Sequence, residues 1–465
     1  MIVMKFGGTS NEDAAAMSNV VRIVKAHITE HPIVVISAIA RATNELEQTA
    51  RLAAQGSEEE AAGLVTRLFE RHNAIIDNLV KSRGVAGGLE RVFYNHLAEI
   101  KALVKGIAIL RELTPRTKDA ICSYGERLSS RIIAASLQEQ GVDAVWVDAK
   151  EFMITDDNFG KAQPLTDLVT ERLEHHVRPL LNAGRTPVTQ GFIGVTQLGA
   201  CTTMGRESSD YSASIIGAAM NADRVQIWTD VDGILTADPR VVPSTRKLNR
   251  MTFEEAFELS YFGAKVLHPS TMLPVLDKKI PVEILNSKRE QGAGTRVDVP
   301  RGDDTHIPPI KSIAHKRNLV IVTITPTKRL GQYLFWESIF SVLTEAGIVV
   351  GSSATSEYSI AFTVDKTVDI ASVRHRLEQF GTVAISEGKA SLCLVGVGVR
   401  GAAGIAGRIF GALADLKVYM ISYGASALNL TLILDEEKVG DALNRLHREF
   451  FESLGTHELF ETIQR

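Results

Sequence analysis

The sequence predicts an α/β protein: a mostly parallel sheet covered by helices on both faces, followed by a smaller repeated α/β unit. The length of 465 residues exceeds what one hydrophobic core usually holds, so several domains are expected. Up to about residue 300, short β-branched runs alternate with longer helical stretches, which is typical of parallel sheets. The C-terminal part contains an internal repeat, which indicates two similar units.

The strand predictions rest on short runs of β-branched and aromatic residues. Helical patterns lie between them, over residues 45–80, 119–140 and 209–221. Ligands of parallel sheets bind at the carboxyl ends of the strands, so polar residues there are candidate site residues. The predicted strands are residues 2–6, 33–37, 144–148, 186–191, 225–229 and 282–286.

A polar stretch at residues 287–309, which carries several Gly and Pro and no hydrophobic period, predicts a domain boundary. Beyond it, residues 339–365 align without a gap on residues 409–435, and apolar strands at 319–325 and 392–398 precede the two copies. Each copy therefore predicts strand, loop, helix, strand, turn and strand. We expect the two copies to pair, because a unit of about 70 residues barely forms its own core.

The composition excludes several classes of protein. Hydrophobic residues make up 45% and charged residues 23%, which argues against a disordered, collagenous or disulfide-scaffold chain. A net charge of −4 argues against nucleic acid or an anionic membrane as the main partner. Cys122, Cys201 and Cys393 form no CxxC pair, and no apolar run approaches the ~18 residues that span a bilayer. We expect a cytoplasmic protein that binds small molecules.

The first candidate phosphate site is the turn KFGGTS, where a strand runs directly into two glycines and two hydroxyl residues. Gly7 and Gly8 allow backbone N–H groups to approach a phosphate, and Lys5 adds a point charge. A helix that begins near Asn11 or Glu12 would add unpaired N–H donors. A tight strand-to-helix turn with a solvated lysine is the alternative interpretation.

Polar residues recur at other predicted strand ends, where phosphoryl transfer needs positioning and charge neutralisation. Residues 229–240, TDVDGILTADPR, carry carboxylates that can hold a sugar, a metal-bound phosphate or a base edge. A pair of surface turns also explains that segment. For the other residues the alternative is a solvated charge or a helix cap, as for Ser209. These other candidates are Ser37, Thr43, Glu126, Arg206, Asp210 and Lys265.

Familiar nucleotide signatures are absent or misleading. No GxxxxGK[ST] motif occurs, which excludes a Walker-type site. Residues 396–401, GVGVRG, match GxGxxG, but they lie too late in the chain for a dinucleotide domain, lack an acidic ribose ligand and belong to the repeat. The histidines have no spacing with Cys or Glu that indicates a metal site, so no metal ligand is predicted among the side chains.

The separate motifs together resemble one family. KFGGTS, SYGERLSS, TQGFIG, GRESSDYSA, WTDVDGILTADPR and FGAKVLHP occur in the order found in aspartokinases. The resemblance covers essentially the whole chain, includes a C-terminal pair of ACT domains, and is strongest to the monofunctional, lysine-sensitive type. It implies an amino-acid-kinase α/β/α sandwich over residues 1–300 and ferredoxin-like ACT domains over 310–388 and 389–465.

The resemblance also implies an activity: transfer of the γ-phosphoryl group of MgATP to the side-chain carboxylate of L-aspartate, which gives 4-phospho-L-aspartate. This is the first step of lysine, threonine and methionine biosynthesis. The expected ligands are ATP, Mg²⁺, L-aspartate and an effector amino acid. A homodimer or larger homo-oligomer that assembles through the ACT domains is expected as well.

Residue roles follow from the same resemblance. Lys5 would neutralise the transferring phosphoryl group, and Asp210 would organise the lysine and the Mg²⁺-phosphate geometry. Aspartate would be held with Glu126 at its α-ammonium and Arg206 at its α-carboxylate. Thr43 and Ser209 would complete the aspartate site. The nucleotide would contact Lys5, Gly7, Gly8, Ser37, Thr229, Asp230, Leu235, Arg240, Lys265 and Val266.

The chain departs from the family pattern at three places. Leu235 stands where relatives often have tyrosine, which would alter only a nucleotide contact. Glu207-Ser208 replaces two glycines beside the substrate loop and adds a negative charge. Gly351 stands where the lysine-sensitive branch usually carries an aspartate that pairs with the effector's amine, which argues against lysine inhibition. The expected effector contacts in the first ACT unit are Ser352, Ser356 and Glu357, for which a polar strand and turn is the alternative.

Two other functions fit parts of the sequence. Another amino-acid kinase, with glutamate or acetylglutamate as acceptor, would share the phosphate chemistry, but the tandem repeat and the Glu126 motif disfavour it. A non-catalytic amino-acid sensor would use only the C-terminal repeats, and retention of the charged site residues argues against it.

Overall fold

The computed structural model describes residues 1–205, 207–263, 269–300, 308–327, 331–356, 358–452 and 457–462. The chain divides into two compact units. The first comprises Met1–Ile234 and Leu267–Val299, and the second comprises Leu235–Val266 and Pro300–Arg465. Within the described residues, none of the helices combines the length and apolar character needed to cross a bilayer.

The secondary structure alternates as expected over the first unit. The strands are β1 (Ile2–Phe6), β2 (Ile33–Ile36), β3 (Ala144–Trp146), β4 (Ile154–Thr155), β5 (Thr186–Gln190), β6 (Ile193–Thr196), β7 (Cys201–Thr203), β8 (Arg224–Thr229), β9 (Arg246–Leu248), β10 (Arg250–Thr252), β11 (Val282–Asn286), β12 (Thr295–Asp298), β13 (Ser312–Pro326), β14 (Ser353–Thr355), β15 (Ile360–Asp365), β16 (Gly381–Val395), β17 (Val418–Tyr423), β18 (Asn429–Asp435) and β19 (Phe460–Thr462).

Helices connect most of these strands. They are α1 (Ala14–Ala26), α2 (Ala42–Ala54), α3 (Glu58–Leu79), α4 (Arg83–Leu110), α5 (Pro115–Cys122), α6 (Tyr124–Glu139), α7 (Thr166–His176), α8 (Arg178–Asn182), α9 (Ser208–Ala219), α10 (Phe253–Tyr261), α11 (Pro269–Asp277), α12 (Gln332–Glu345), α13 (Ala371–Glu378), α14 (Ile405–Ala412) and α15 (Val439–Phe451).

In the first unit, strands lie side by side in the order β3-β5-β2-β1-β8-β11-β12. All neighbours from β3 to β11 pair in parallel, and only β12 runs antiparallel. β1 is buried along its whole length, because both faces of a parallel sheet are covered, and its apolar run reflects that burial. The prediction of a mostly parallel α/β sheet is confirmed.

Two predicted helical stretches are each broken into two helices. The pattern at 45–80 corresponds to α2 and α3, which are separated at Gly56, a residue with φ of +88°. The pattern at 119–140 corresponds to α5 and α6, which meet at Ser123. The predicted boundary stretch also differs from expectation, since β12 lies inside it and pairs antiparallel with β11.

The second unit has a six-stranded sheet in the order β14-β15-β13-β16-β18-β17. The long strands β13 and β16 pair along both halves, with a register shift between Lys316 and Leu319. The N-terminal half of β13 pairs with the half of β16 that also contacts β18. The second repeat copy therefore takes one sheet strand from upstream of the first copy. The division into domains at 310–388 and 389–465 stays a prediction.

The GxGxxG match has a packing explanation within the second unit. A Cβ atom at Gly396 would lie 2.5 Å from the Pro309 carbonyl oxygen, and one at Gly398 would lie 2.5 Å from the Pro309 Cα. The backbone at Pro309 leaves no room for side chains there. These glycines allow two chain segments to approach closely, which is a packing reason for glycine at both positions.

Residues between β8 and α11 contribute to the second unit through buried polar contacts. Thr236 Oγ1 lies 2.9 Å from His447 Nε2, and both side chains are buried. Glu255 on α10 is fully buried and lies 2.7 Å from the Lys311 ammonium. Burial lowers the pKa of His447 to about 4, so its ring is neutral near pH 7.

Candidate active site

A pocket of about 730 Å³ lies within the first unit at the carboxyl ends of β1 and β2. Its size is in the range of small-molecule sites, and its position is the one expected for an α/β sheet. Seven of the residues singled out from the sequence line it: Lys5, Gly8, Ser37, Thr43, Glu126, Ser209 and Asp210.

The centre of the pocket is an ion pair between Lys5 and Asp210. Lys5 is 8% exposed, and its Nζ lies 2.5 Å from Asp210 Oδ1. Lys5 is held by β1, which pairs in parallel with β2 and β8 on either side. The pair places a cation at a fixed point on the floor of the pocket, where poor solvation strengthens its field.

Close packing of α9 brings Asp210 to that point. A Cβ at Gly217 would lie 2.5 Å from a methyl group of Val225 on β8, so glycine lets the helix lie directly on the sheet. A Cβ at Gly191 would lie 2.7 Å from the Ser209 Cβ. The alternative interpretation, in which Ser209 caps α9, is wrong, because Glu207 occupies the N-cap position with φ of 63°.

The glycine turn differs in detail from the predicted phosphate cradle. The Gly7 amide donates to the Trp228 carbonyl oxygen at 3.1 Å, so it is not free for a phosphate. A Cβ at Gly8 would lie 3.3 Å from the Ala38 carbonyl oxygen, and Gly8 lines the pocket. A short 3₁₀ turn follows, and α1 begins at Ala14 rather than near Asn11.

Glu126 is a buried acid in the first turn of α6. A Cβ at Gly125 would lie 2.8 Å from the Ala38 Cβ, so glycine allows the start of α6 to pack against the loop after β2. The Glu126 carboxylate accepts a hydrogen bond from the Ala38 amide, and its Oε2 has no hydrogen-bond partner. Burial raises the pKa of Glu126 to about 8, and the nearby charge of Lys5 opposes the rise. A ligand ammonium would satisfy this carboxylate.

Ser37 and Thr43 form the side of the pocket that follows β2. The Ser129 hydroxyl donates to the Ser37 carbonyl oxygen at 2.8 Å, which ties this loop to α6. Thr43 lies half-buried in the first turn of α2. Both residues reach the pocket because the parallel strands end at the same edge of the sheet.

Of the predicted nucleotide residues, Lys5, Gly8 and Ser37 line this pocket, whereas Gly7, Thr229, Asp230, Leu235 and Arg240 are not among its lining residues. Thr229 and Asp230 lie at the end of β8, where the Thr229 carbonyl oxygen accepts from the Ser287 amide at 2.8 Å. Leu235 and Arg240 belong to the second unit, and the Arg240 guanidinium binds the Asp238 carboxylate with both of its contacts near 3 Å. The predicted substrate and nucleotide residues Arg206, Lys265 and Val266 lie outside the described residues.

Several charged residues of the pocket were missed from the sequence. Glu47 on α2 and Lys118 on α5 form an ion pair of 3.0 Å at its edge. Asp119 on α5 is 2% exposed, and Lys161 lies in the loop after β4. None of them stands at the end of a predicted strand, where polar residues of a parallel sheet are expected to meet a ligand. The consecutive acid and base at 118–119, seven residues before Glu126, was the available signal.

The expected effector residues lie around β14 in the second unit. Ser352 and Ser356 bond mainly to the neighbouring strand and turn, with Ser356 Oγ 2.8 Å from Ser359 Oγ. A Cβ at Gly351 would lie 2.7 Å from Thr363 Oγ1, so a side chain there would displace Thr363. Glu357 lies outside the described residues. Effector binding at these residues stays a prediction.

The fold and pocket define an amino-acid kinase with a regulatory-type C-terminal unit. Residues 1–286 match the model of the Amino acid kinase family, and residues 392–450 match that of an ACT domain. The chain is 35% identical to the lysine-sensitive aspartokinase 3 of Escherichia coli, covering 97% of this chain and 99% of that protein. It is also 35% identical to the chloroplastic aspartokinase 1 of Arabidopsis thaliana, covering 98% of this chain and 81% of that protein.

Solved structures agree with these sequence matches. E. coli aspartokinase III in complex with aspartate and ADP superposes with a TM-score of 0.83 at 34% identity, over 97% of this chain and all of that one. The same enzyme in complex with lysine and aspartate gives a TM-score of 0.81 at 33% identity, over 97% of this chain and all of that one. The chain belongs to the aspartokinase family.

Proposed function

We propose that this chain transfers the γ-phosphoryl group of ATP to the β-carboxylate of L-aspartate, the reaction that its family membership indicates. The observation that carries the assignment of roles is the Lys5–Asp210 pair at the floor of a pocket that also holds buried Glu126. Lys5 supplies a cation for the phosphoryl group, Asp210 anchors that cation, and Glu126 can bind the ammonium of the acceptor.

Lys5 offsets the repulsion between the two anionic reactants. The acceptor carboxylate is ionised near neutral pH and needs no general base, so the barrier lies in bringing two anions together. A carboxylate oxygen of aspartate attacks the γ-phosphorus while the bond to the bridging oxygen of ADP breaks. The Lys5 ammonium stabilises the charge on the transferring group, and Asp210 fixes the ammonium in place.

Glu126 binds the α-ammonium of aspartate. Its unpartnered Oε2 and buried position leave it incompletely satisfied in the empty pocket. An ammonium would pair with the ionised carboxylate and offset its desolvation. Arg206 is assigned to the α-carboxylate by the family motif alone, and Thr43 and Ser209 complete the aspartate site.

Mg²⁺ would enter this site as part of MgATP. Among the described residues, no group of three His, Cys, Asp or Glu side chains lies close enough to hold a metal ion. Asp210 is the carboxylate of the pocket that lies beside the transferring phosphate in this assignment, and it is the side chain that fits the metal-phosphate unit. When bound, Mg²⁺ would neutralise charge on the phosphates.

The proposal extends to regulation and assembly. An effector amino acid would bind the C-terminal unit near Ser352, Ser356 and Glu357, as the ACT match and the lysine complex of a relative suggest. Assembly through the same unit would give a homodimer or larger homo-oligomer, and the reaction would serve lysine, threonine and methionine biosynthesis. Three free cysteines fit a reducing, cytoplasmic setting.

A hydroxamate assay tests the activity directly. Purified chain, MgATP and hydroxylamine are incubated with L-aspartate, L-glutamate or N-acetyl-L-glutamate in turn. Coloured hydroxamate should form with aspartate and not with the other acceptors. Phosphorylation of glutamate or acetylglutamate in preference to aspartate, or no acceptor-dependent turnover at all, would reject the proposal.

A further inference from the structure

Asp119 is a buried acid that belongs to none of the motifs discussed above. It lies on α5 and lines the pocket, yet it is only 2% exposed. Its Oδ2 accepts from the Gly160 amide at 2.8 Å and from the Thr203 amide at 2.9 Å, and its Oδ1 accepts from the Thr203 hydroxyl at 2.7 Å. Both oxygens therefore already accept hydrogen bonds from protein donors.

These three hydrogen bonds join three separate segments of the pocket wall. Asp119 lies on α5, Gly160 lies in the loop over residues 156–163, and Thr203 is the last residue of β7. A backbone bond from the Ala162 amide to the Thr203 carbonyl oxygen, 3.0 Å long, joins the last two segments again. β7 leads within a few residues to Ser209 of the aspartate site and to Asp210, so the clamp lies directly upstream of both residues.

The 156–163 loop brings a cation to the pocket. Lys161 lines the cavity, and among the described residues no carboxylate lies within ion-pair distance of its ammonium. The pocket lysines Lys5 and Lys118, in contrast, are paired with Asp210 and Glu47. Aspartate has two carboxylates and one ammonium, so one of its carboxylates can bind the unpaired Lys161 ammonium.

We propose that Asp119 is a positioning residue for the acceptor, and that it holds Lys161 where the ammonium contacts a carboxylate of aspartate. The proposal rests on the proposed function of the pocket. Asp119 acts through the loop and through Thr203, whereas Lys161 is the residue that contacts the substrate. The expected consequence is selective: aspartate binding depends on the clamp, and nucleotide binding does not.

Asp119→Asn tests the clamp, because asparagine has the same size but turns an NH₂ group toward N–H donors. We expect the Michaelis constant for aspartate to rise between about tenfold and a hundredfold, the loss typical of misplaced substrate contacts. The constant for ATP should be unchanged, and kcat should fall less than the aspartate constant rises. Lys161→Gln should raise the aspartate constant in the same direction, and Lys161→Arg should restore most of the binding.

Asp156→Asn is the matched control. Asp156 Oδ1 accepts from the Asn158 amide at 3.2 Å and from the Gln163 amide at 2.9 Å, in the same loop but outside the pocket lining. Its substitution should leave the aspartate constant within about twofold of wild type. Equal effects of the two asparagine variants, or equal shifts of the aspartate and ATP constants in Asp119→Asn, would overturn the proposal.

Hydrogen exchange separates this proposal from the proposed function. In Asp119→Asn the amides of Gly160 and Thr203 should exchange faster than in wild type, with the exchange of β1 unchanged. Unchanged protection at both amides rejects the clamp even if the enzyme is active. Absence of aspartate phosphorylation in the wild type rejects the function of the pocket, whatever the exchange data show.

Discussion

At the residue scale, two charged groups with opposite tasks lie close together in a poorly solvated pocket. Lys5 is held by an acid partner and must stay cationic to meet a phosphate. The Oε2 atom of Glu126 has no such partner. Burial raises the pKa of this carboxyl group and so favours its protonated form. The transferring phosphoryl group offers Lys5 an anion, and the α-ammonium of aspartate offers Glu126 a cation. These charges favour the substrates over water in the pocket.

Lys5→Ala should reduce turnover by several orders of magnitude and change aspartate affinity little. The lysine contributes mainly to the charge that develops during transfer, and loss of one such group typically costs about 10²–10³-fold or more in kcat. Steady-state kinetics with both substrates checks this. Lys25→Ala, a change on the exposed face of α1, is the control and should behave as wild type. A Lys5→Ala enzyme with near-normal turnover would contradict the assigned role.

Glu126 predicts a pH dependence of stability in the empty enzyme. Its pKa rises from the usual 4.5 to about 8 on folding because burial disfavours the charged form. The folded state therefore holds this proton more tightly than the unfolded state does. The stability contribution is present below about pH 4.5 and is lost as the pH rises through about 8. Denaturant unfolding at several pH values should show a fall in the free energy of unfolding that Glu126→Gln lacks.

The same titration predicts tighter aspartate binding at higher pH. The ammonium of aspartate pairs with the ionised carboxylate, so binding expels a proton from Glu126 below about pH 8. Calorimetry in buffers of different ionisation enthalpy should detect that proton in the wild type and not in Glu126→Gln. No difference between the two proteins in either measurement would show that Glu126 is already ionised in the empty pocket.

At the scale of elements, the site depends on how closely helices approach the sheet and its loops. α6 reaches the loop after β2 only because residue 125 has no side chain, and α9 reaches the sheet through Gly217. These glycines have ordinary negative φ angles, so the requirement is for space rather than for backbone freedom. Close helix packing therefore helps to set the positions of Glu126 and Asp210.

Gly125→Ala should disturb the aspartate site and the fold together. The new methyl would lie 2.8 Å from the Ala38 Cβ, and neither backbone can move without shifting α6 or the loop. We expect a loss of about 1–3 kcal/mol in stability, typical of overpacking, and a higher aspartate constant. Gly106→Ala in α4 is the control: nothing lies within 4 Å of a Cβ there, and alanine should stabilise that helix by about 0.5–1 kcal/mol. Equal behaviour of the two variants would refute the packing argument.

At the scale of the whole molecule, segments distant in sequence fold together. Leu235–Val266 belongs with the C-terminal unit, and the second repeat copy uses a strand that precedes the first. The Glu255–Lys311 pair lies inside this second unit, and both side chains are nearly inaccessible to solvent. Glu255 also accepts hydrogen bonds from the Thr252 and Val397 amides, so it joins three segments.

Lys311→Met should destabilise the second unit by about 3–5 kcal/mol, because it leaves a buried carboxylate without its partner. The double variant Glu255→Gln with Lys311→Met should recover much of that loss. Lys316→Met removes a mostly exposed lysine 3.5 Å from Asp365 and should change stability by less than about 1 kcal/mol. Thermal unfolding of the full chain compares the three. A loss no larger in Lys311→Met than in Lys316→Met would exclude a structural role for the pair.

The sequence by itself determined the class of fold, the six parallel strands and the family. These follow from local properties, because apolar runs, helical periodicity and short motifs can be recognised without knowing which segments contact one another. The family resemblance also assigned Lys5, Glu126, Ser209 and Asp210 to one site, and these four residues line the same pocket.

Only the tertiary structure decided what depends on contacts between distant segments. The hydrogen bond from the Gly7 amide to Trp228 and the clamp at Asp119 each join residues far apart in the chain. The same is true of the interleaved strands of the second unit. Hydrogen-bond partners and burial are set by three-dimensional packing, and no local pattern encodes which of several equivalent donors or glycines a given segment will meet.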